Sequence, residues 1–416
     1  MFKKIVMVLL LAGLLLGMVS LGVEAESIRV LVRPDEGDVV QLYASEFYEE
    51  TGIEVEVDFA GWDVVTDRIT SVLLDEGAGF DVIFLPSADK ARFAELGNFI
   101  NLSPWFTELE QELFLEAIFD HYHHEGEMIA VPWYSGGAHF VYNKAYLDAA
   151  GIDPDDIRTW EDLLSVSGDI VDNSPAEYAY IPSAQYPGNH YFNFYTMVIA
   201  MGGEMFDEDD NPVFNEGVAV EALELLVEGV ETGVFDSAGV SMDDYETLRA
   251  FQAGITAFML NSTWSANQAM NPEESAVADD ARIMMIPGSA DKDTGGLIYA
   301  GGFGVVEASQ NKDAAVEFIK LLTGTEAQML HAIEGYNLST HERLFSGVRE
   351  RAINKGWGQY GQLIQQVEVG EFAVDAGWLD DYRRIMATAV QDALAGAKTP
   401  QEALDWAADE VYQIID

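Results

Sequence analysis

The run Phe80-Asp81-Val82-Ile83-Phe84-Leu85 constrains the fold more than any other stretch of this chain. Apart from Asp81 it offers no polar side chain to either face of a strand, the pattern of a strand covered on both sides within a parallel sheet. Pro86-Ser87-Ala88-Asp89 breaks it at once. Upstream, residues 27–32 form a short apolar run ended by Pro34 and Gly37. Val39, Leu42, Tyr43, Phe47 and Tyr48 then recur at helical spacing until Thr51-Gly52. Ile53, Val55, Val57 and Phe59 alternate with acidic residues, and 63–75 returns to helical spacing. Strand, helix, strand, helix and a buried strand predict an α/β domain with ligand-binding loops at the carboxyl ends of its strands.

Further along, 128–134 reads as a short strand leading into a second lobe, which opens with another strand at 139–144. Thr159 and Asp162 occupy capping-box positions ahead of a helix. Helices are expected at 90–96, 191–200, 218–231 and 243–253, with strands at 255–260 and 282–287. The glycine-rich stretch 299–306 has no helix directly behind it, so it lacks the context of a nucleotide fingerprint. Beyond Asn311 the reading is mainly helical, at 314–322, 326–333, 349–354, 382–394 and 400–411. Thr399-Pro400-Gln401-Glu402 supplies a cap, a proline at the first helical position and an acid in the first turn. No repeat or low-complexity linker intervenes, so short crossings must join the lobes.

Lys3 and Lys4 precede an uncharged stretch over 5–23, and Val23-Glu24-Ala25 has small residues where a signal peptidase reads. This predicts a signal peptide over 1–25 and export; a retained N-terminal anchor is the alternative, because the stretch is long enough to span a bilayer. No second stretch of that length follows, which argues against a multi-span permease. The chain has no cysteine, hence no disulfide framework, no thiolate metal site and no lipid attachment behind the signal. A freely diffusing periplasmic protein is expected. At 416 residues the chain is too long for one ordinary core and suits two.

Against 21 basic residues stand 72 acidic ones, a formal net charge of -51, while 49% of residues remain apolar. The core is therefore ordinary and the surface carries the excess. Such a field disfavours nucleic acid and anionic lipid as partners. It also opposes compaction unless salt screens it, which predicts a hypersaline habitat. The acids are spread along the chain, which weighs against a face dedicated to a cationic ligand.

Sites for chemistry are scarce. His121, His123 and His124 lack metal-ligand spacing and read as a polar edge. Tyr134-Ser135-Gly136-Gly137 has a serine near glycines, but there is no nucleophile elbow and no identifiable base. A glycosidase pair cannot be picked out among so many acids. No catalytic residue, cofactor or metal is expected. The informative pattern is a set of aromatic residues beside turns: Trp62 after Gly61, Trp133 and Tyr134 at a strand end, Trp264 in Asn261-Ser262-Thr263-Trp264, Trp357 between two glycines and Trp378 after Gly377. Flat rings with polar rims match the C–H face and hydroxyl edge of a sugar. Asp89 would accept hydroxyl hydrogen bonds or, alternatively, cap the helix that follows. Core packing is the alternative for each ring, and the preferred reading for Trp105, Trp160 and Trp406.

Several segments, taken in order, carry a family likeness: Phe80-Asp81-Val82-Ile83 leading to Asp89, then Gly126 through Pro132, then Tyr142-Asn143-Lys144 with Ala150-Gly151 and Thr159-Trp160-Glu161-Asp162-Leu163. Phe251 to Trp264, Gly302-Phe303-Gly304-Val305 with Asn311-Lys312, and Gly396 to Ala403 complete it. In this order they resemble the extracellular solute-binding protein family of ABC sugar importers, which includes the maltose- and multiple-sugar-binding proteins. The resemblance implies a two-lobed periplasmic binding protein fold with multiple hinge crossings, near 133–137, 288–296 and 334–339. It implies an N-terminal lobe of 26–133 with 296–334, and a C-terminal lobe of 134–295 with 335–416. By position, Asp89 resembles the family's hydroxyl-binding acid and Trp264 its stacking tryptophan, while Tyr191 or Phe192 would supply a second aromatic. Trp378 lies a few residues from where the maltose-binding relatives keep theirs. The implied partners are a small-molecule carbohydrate and the permease subunits of an importer, the implied state a monomer. The alternatives are a binder of another polar solute (polyamine, compatible solute or glycerol phosphate), a carbohydrate-active enzyme and a structural surface protein.

Overall fold

Alternating strand and helix patterns resolve, in a computed structural model describing residues 27–34, 37–75, 79–185, 190–334, 337–341, 344 and 359–415, into ten strands and intervening helices. The strands are β1 (Ser27–Val32), β2 (Glu54–Phe59), β3 (Val82–Pro86), β4 (His123–His124), β5 (Glu127–Met128), β6 (Val131–Asn143), β7 (Phe258–Ser262), β8 (Ala281–Met284), β9 (Leu297–Val305) and β10 (Glu371–Phe372). The signal peptide expected over 1–25, the helix expected at 349–354 and Trp357 lie outside the described residues. Among the described residues no helix is long and apolar enough to cross a membrane.

β1, β2 and β3 pair in parallel as the opening pattern predicts, and β3 is buried along its whole length. β2 is the edge of this layer, and its Glu54, Glu56 and Asp58 alternate with Val55 and Val57, so the acids can face water. The sheet then turns antiparallel: β9 lies between β3 and β6, and β6 carries β7 and β8. Sequence patterning treats 128–134 and 139–144 as separate strands. The structure instead runs one strand of 13 residues through Gly136 and Gly137. The glycines hide the strand signal because they have no side chain to alternate, and they are needed here: a Cβ on Gly136 would sit 2.6 Å from the Tyr299 ring.

Two sets of core clusters lie on either side of this crossing. Ile28, Val30, Phe84, Trp133, Phe303 and Phe318 belong to one side, and Phe140, Trp160, Phe194, Leu223, Phe258 and Tyr382 to the other. β6 changes sides between Tyr134 and Ala138, and β9 changes back between Ile298 and Ala300. A third segment runs beside them, where Ser135 N–H donates to Leu338 O (2.9 Å) and Leu338 N–H donates to Ser135 O (2.7 Å). The protein is thus two lobes joined by adjacent crossings.

Local signals place the helices that frame the seam. Thr159 Oγ1 accepts from Asp162 N–H at 3.0 Å while the Asp162 carboxylate accepts from Thr159 N–H at 3.0 Å, a reciprocal cap that contributes about 1 kcal/mol. It starts the helix Trp160–Asn173, whose Trp160 is buried against Phe140 and Tyr180. The helices Leu379–Leu394 and Pro400–Ile415 close the second lobe, with Tyr382, Met386, Leu404 and Ala407 inside.

Candidate functional site

Among the described residues only two carboxylates are buried, Asp81 and Asp89, each 6% exposed. In a chain this acidic, a buried carboxylate needs an explanation, because desolvation is costly unless hydrogen bonds or a counter-ion offset it. The two lie at opposite ends of β3. Asp81 accepts from Arg29 N–H (2.8 Å), Ser309 Oγ (2.6 Å) and Asn311 Nδ2 (3.2 Å), all in the first lobe, and so ties the amino end of the sheet together.

Asp89 lies just past the carboxyl end of β3, where open α/β sheets bind their ligands. Thr66 Oγ1, one turn inside the helix Trp62–Leu74, donates to its Oδ2 at 3.4 Å. Its Oδ1 accepts from Arg383 Nη1 at 3.1 Å, and Arg383 belongs to the helix Leu379–Leu394 of the other lobe. The next residue repeats the crossing. Lys90 Nζ pairs with Asp375 Oδ2 at 2.5 Å and also donates to His123 O, while Ala91 N–H donates to Asp375 Oδ1 at 2.8 Å. His121 completes this side: its Nε2 is hydrogen-bonded to Ser87 O at 3.0 Å, and its ring stacks on Phe372 at 4.0 Å. Burial pushes the imidazole below its ordinary range, against the opposing hydrogen bond.

Beside these ion pairs is an open groove of about 580 Å³. Lys90, Glu95 and His124 line it from the first lobe, Asp375, Gly377 and Trp378 from the second. Trp378 is the cap residue of the helix that carries Arg383, and its ring packs on Phe206 and Tyr382 (5.2 and 6.2 Å between centroids).

The floor of the seam is built on the crossing strands. Ser87 Oγ accepts from Ala300 N–H at 2.9 Å, so the loop bearing Asp89 rests directly on β9. The neighbouring Tyr299 donates its hydroxyl to Asn337 Oδ1 at 3.0 Å. Across the floor, Thr263 Oγ1 accepts from Gly137 N–H at 2.9 Å and is hydrogen-bonded to His139 Nε2 at 2.9 Å, which fixes the start of the helix Thr263–Ala269. Trp264 follows it, half-buried, with Tyr245 edge-on at 5.7 Å.

The expected site residues divide as follows. Asp89 and Trp378 are brought to the same stretch of the seam, and Trp264 flanks the crossing strands from the second lobe. Trp133 and Tyr134 are enclosed in the first lobe's core: Trp133 packs against Phe303 and His331, and Tyr134 stacks on Phe84 while its hydroxyl accepts from Arg33 Nη2 at 2.6 Å. Trp62 and Tyr191 occupy the first turns of the helices Trp62–Leu74 and His190–Ala200, and their side chains lie outside what is described. Sequence reasoning missed Lys90, Asp375 and Arg383. The available signal was scarcity, since each cation among only 21 needs a reason for its position. Among the described residues no group of three or more His, Cys, Asp or Glu is placed to hold a metal ion, and His121, His123 and His124 end a short helix and form β4.

Comparison with known proteins agrees with this geometry. Residues 33–329, well over half of the chain, match the model of the bacterial extracellular solute-binding protein family. The chain belongs to this family. It is 24% identical over 287 residues to the diacetylchitobiose binding protein DasA of Streptomyces coelicolor, covering 67% of this chain. It is 25% identical over 288 residues to a probable amino-acid ABC transporter periplasmic-binding protein of Sinorhizobium fredii, covering 68% of this chain. In both cases the match spans 64% of the relative's length. Among solved structures, maltose-bound T. maritima MalE3 superposes with a TM-score of 0.83 at 20% identity, covering 94% of this chain and 100% of that one. That likeness establishes the two-lobed periplasmic binding-protein fold. Family and fold are those of an extracytoplasmic solute-binding protein, not of an enzyme.

Proposed function

We propose that this chain is the solute-capturing subunit of an ABC importer, which binds a sugar or short oligosaccharide between its lobes and presents it, as a monomer, to membrane permease subunits. The observation that carries the reading is Asp89: one of two buried carboxylates among the described residues, just past the carboxyl end of β3, facing the other lobe next to Lys90, which with Trp378 lines an open groove. A carboxylate there accepts hydroxyl hydrogen bonds, and Trp378 and Trp264 offer rings for a sugar face. Two similar proteins, one named for binding diacetylchitobiose and one solved with maltose bound, take ligands of this class. The lobes would divide as 26–133 with 296–334 and 134–295 with 335–416, moving about β6, β9 and the segment near Leu338. Trp62, Tyr191 and Trp357 would add aromatic contacts.

Native mass spectrometry of solute released from the purified protein, followed by calorimetric titration with that solute, tests the reading. Recovery of a sugar that binds saturably supports it; a non-sugar, or no saturable binding across a panel of oligosaccharides, refutes it. An amino acid is the second reading, because the Asp89–Arg383 pair complements a zwitterion and one relative is described as an amino-acid binder. We also propose adaptation to high salt from the net charge of -51. Thermal unfolding that is no easier in low salt than in molar salt would refute that part.

A further inference from the structure

The two lobes meet through a crossed set of charges. On the first lobe Asp89 and Lys90 are adjacent and opposite in sign; on the second, Arg383 and Asp375 face them in the opposite order. All four side chains are largely withdrawn from water, at 7%, 9%, 14% and 21% exposed for Asp89, Lys90, Arg383 and Asp375. The order matters because a closure displaced by one residue would set Asp89 against Asp375 and Lys90 against Arg383, like against like. Misaligned charge of that kind is unfavourable between side chains largely withdrawn from water, whereas matched pairs fix register. The backbone approaches closely at the same place: a Cβ on Gly377 would lie 2.7 Å from a Glu95 carboxylate oxygen. In a protein with so large a negative excess, approach of the two lobes is otherwise opposed by repulsion.

We infer that Asp375 and Arg383 are positioning residues: with Lys90 and Asp89 they form a charge clamp that selects one closed register of the lobes and orients the Asp89 carboxylate. Asp375 accepts from Lys90 Nζ and from the Ala91 amide, and so acts through the first lobe's loop. Arg383 fixes one oxygen of Asp89 and Thr66 approaches the other, which leaves the remaining lone pairs directed by closure itself. The orientation of Asp89 toward a solute rests on the function proposed above; the clamp does not, and it can be measured without any solute.

The chain has no native cysteine, so Leu109→Cys and Tyr412→Cys, at exposed positions on the first and second lobes, provide a clean pair of spin-label sites. Pulsed electron paramagnetic resonance on the ligand-free protein reads the closed-to-open ratio. Asp375→Asn should lower that ratio by about tenfold or more, since removing one partner of a buried pair leaves the other uncompensated. Lys90→Asp should lower it further, and the swap Lys90→Asp with Asp375→Lys should restore the wild-type distance. Thermal melts of each variant separate lost closure from lost folding, and the swap keeps the question answerable if a single variant unfolds. Unchanged distances in both Asp375→Asn and Arg383→Gln, or a swap as open as Lys90→Asp alone, would overturn the clamp. Titration with maltose as probe then tests Asp89; absence of maltose binding to the wild type counts against the solute reading and leaves the clamp result standing.

Discussion

Asp81 and Asp89 stand at the two ends of one strand and are equally buried, yet they are held in different ways. Asp81 is satisfied by a backbone amide, a hydroxyl and a side-chain amide of its own lobe. Asp89 has one hydroxyl of its own lobe and a guanidinium from the other. The first arrangement is complete whatever the lobes do. The second exists only when they are together. Burial alone therefore does not single out a candidate site acid; the origin of its partners does.

The largest expected effect tests the comparison by ignoring it. Burial holds His139 and His331 at a pKa of about 3 and His341 at about 4, against an ordinary 6.5. Each is neutral when folded, so between these values the unfolded chain binds protons that the folded chain does not. Stability is then full above about pH 6.5 and falls as the pH drops toward 4, by up to about 1.4 kcal/mol per unit for each histidine. His139 lies on the second-lobe half of β6, while His331 packs on Trp133 and Tyr134 and His341 on Phe114 of the first lobe. Both lobes should lose stability in one acid window in chemical denaturation; a flat profile from pH 7 to 4.5 contradicts this.

The next effect separates the two ends. Asp81→Ala strands an amide, a hydroxyl and a carboxamide in the core and should cost about 3 kcal/mol of unfolding free energy. The fraction that remains folded should bind the recovered solute with near wild-type affinity. Asp89→Asn should do the converse, weakening solute binding about tenfold, roughly 1.4 kcal/mol, with a smaller loss of stability than Asp81→Ala. Denaturant titration and calorimetry on the two variants check both. Equal patterns in the two would break the distinction between them.

Much of the fold was legible locally. The apolar run ending at Leu85, the alternation at Val55 and Val57, the Thr159 cap and the helix Val218–Glu231 follow from short-range periodicity and hydrogen bonding, which leave their record in neighbouring residues. β9 was not legible as a strand, because Gly301, Gly302 and Gly304 erase alternation where Phe84, Tyr134, Tyr122 and Phe99 press against the backbone. The fusion of two expected strands into β6 was hidden for the same reason. At the site, Asp89 and Trp378 stood out beside turns, but Arg383 is 294 residues from Asp89, and an ion pair over that separation imposes no spacing that a sequence could display.

The position of β9 has a consequence for how the molecule is made. It fills the gap between β3 and β6, so the central sheet stays split until residues 297–305 have emerged from the ribosome. The helices Leu379–Leu394 and Pro400–Ile415, which complete the second lobe, come later still. Neither half can therefore reach its final packing as a nascent fragment, and both cores are completed only once the C-terminal part of the chain is available for these long-range pairings.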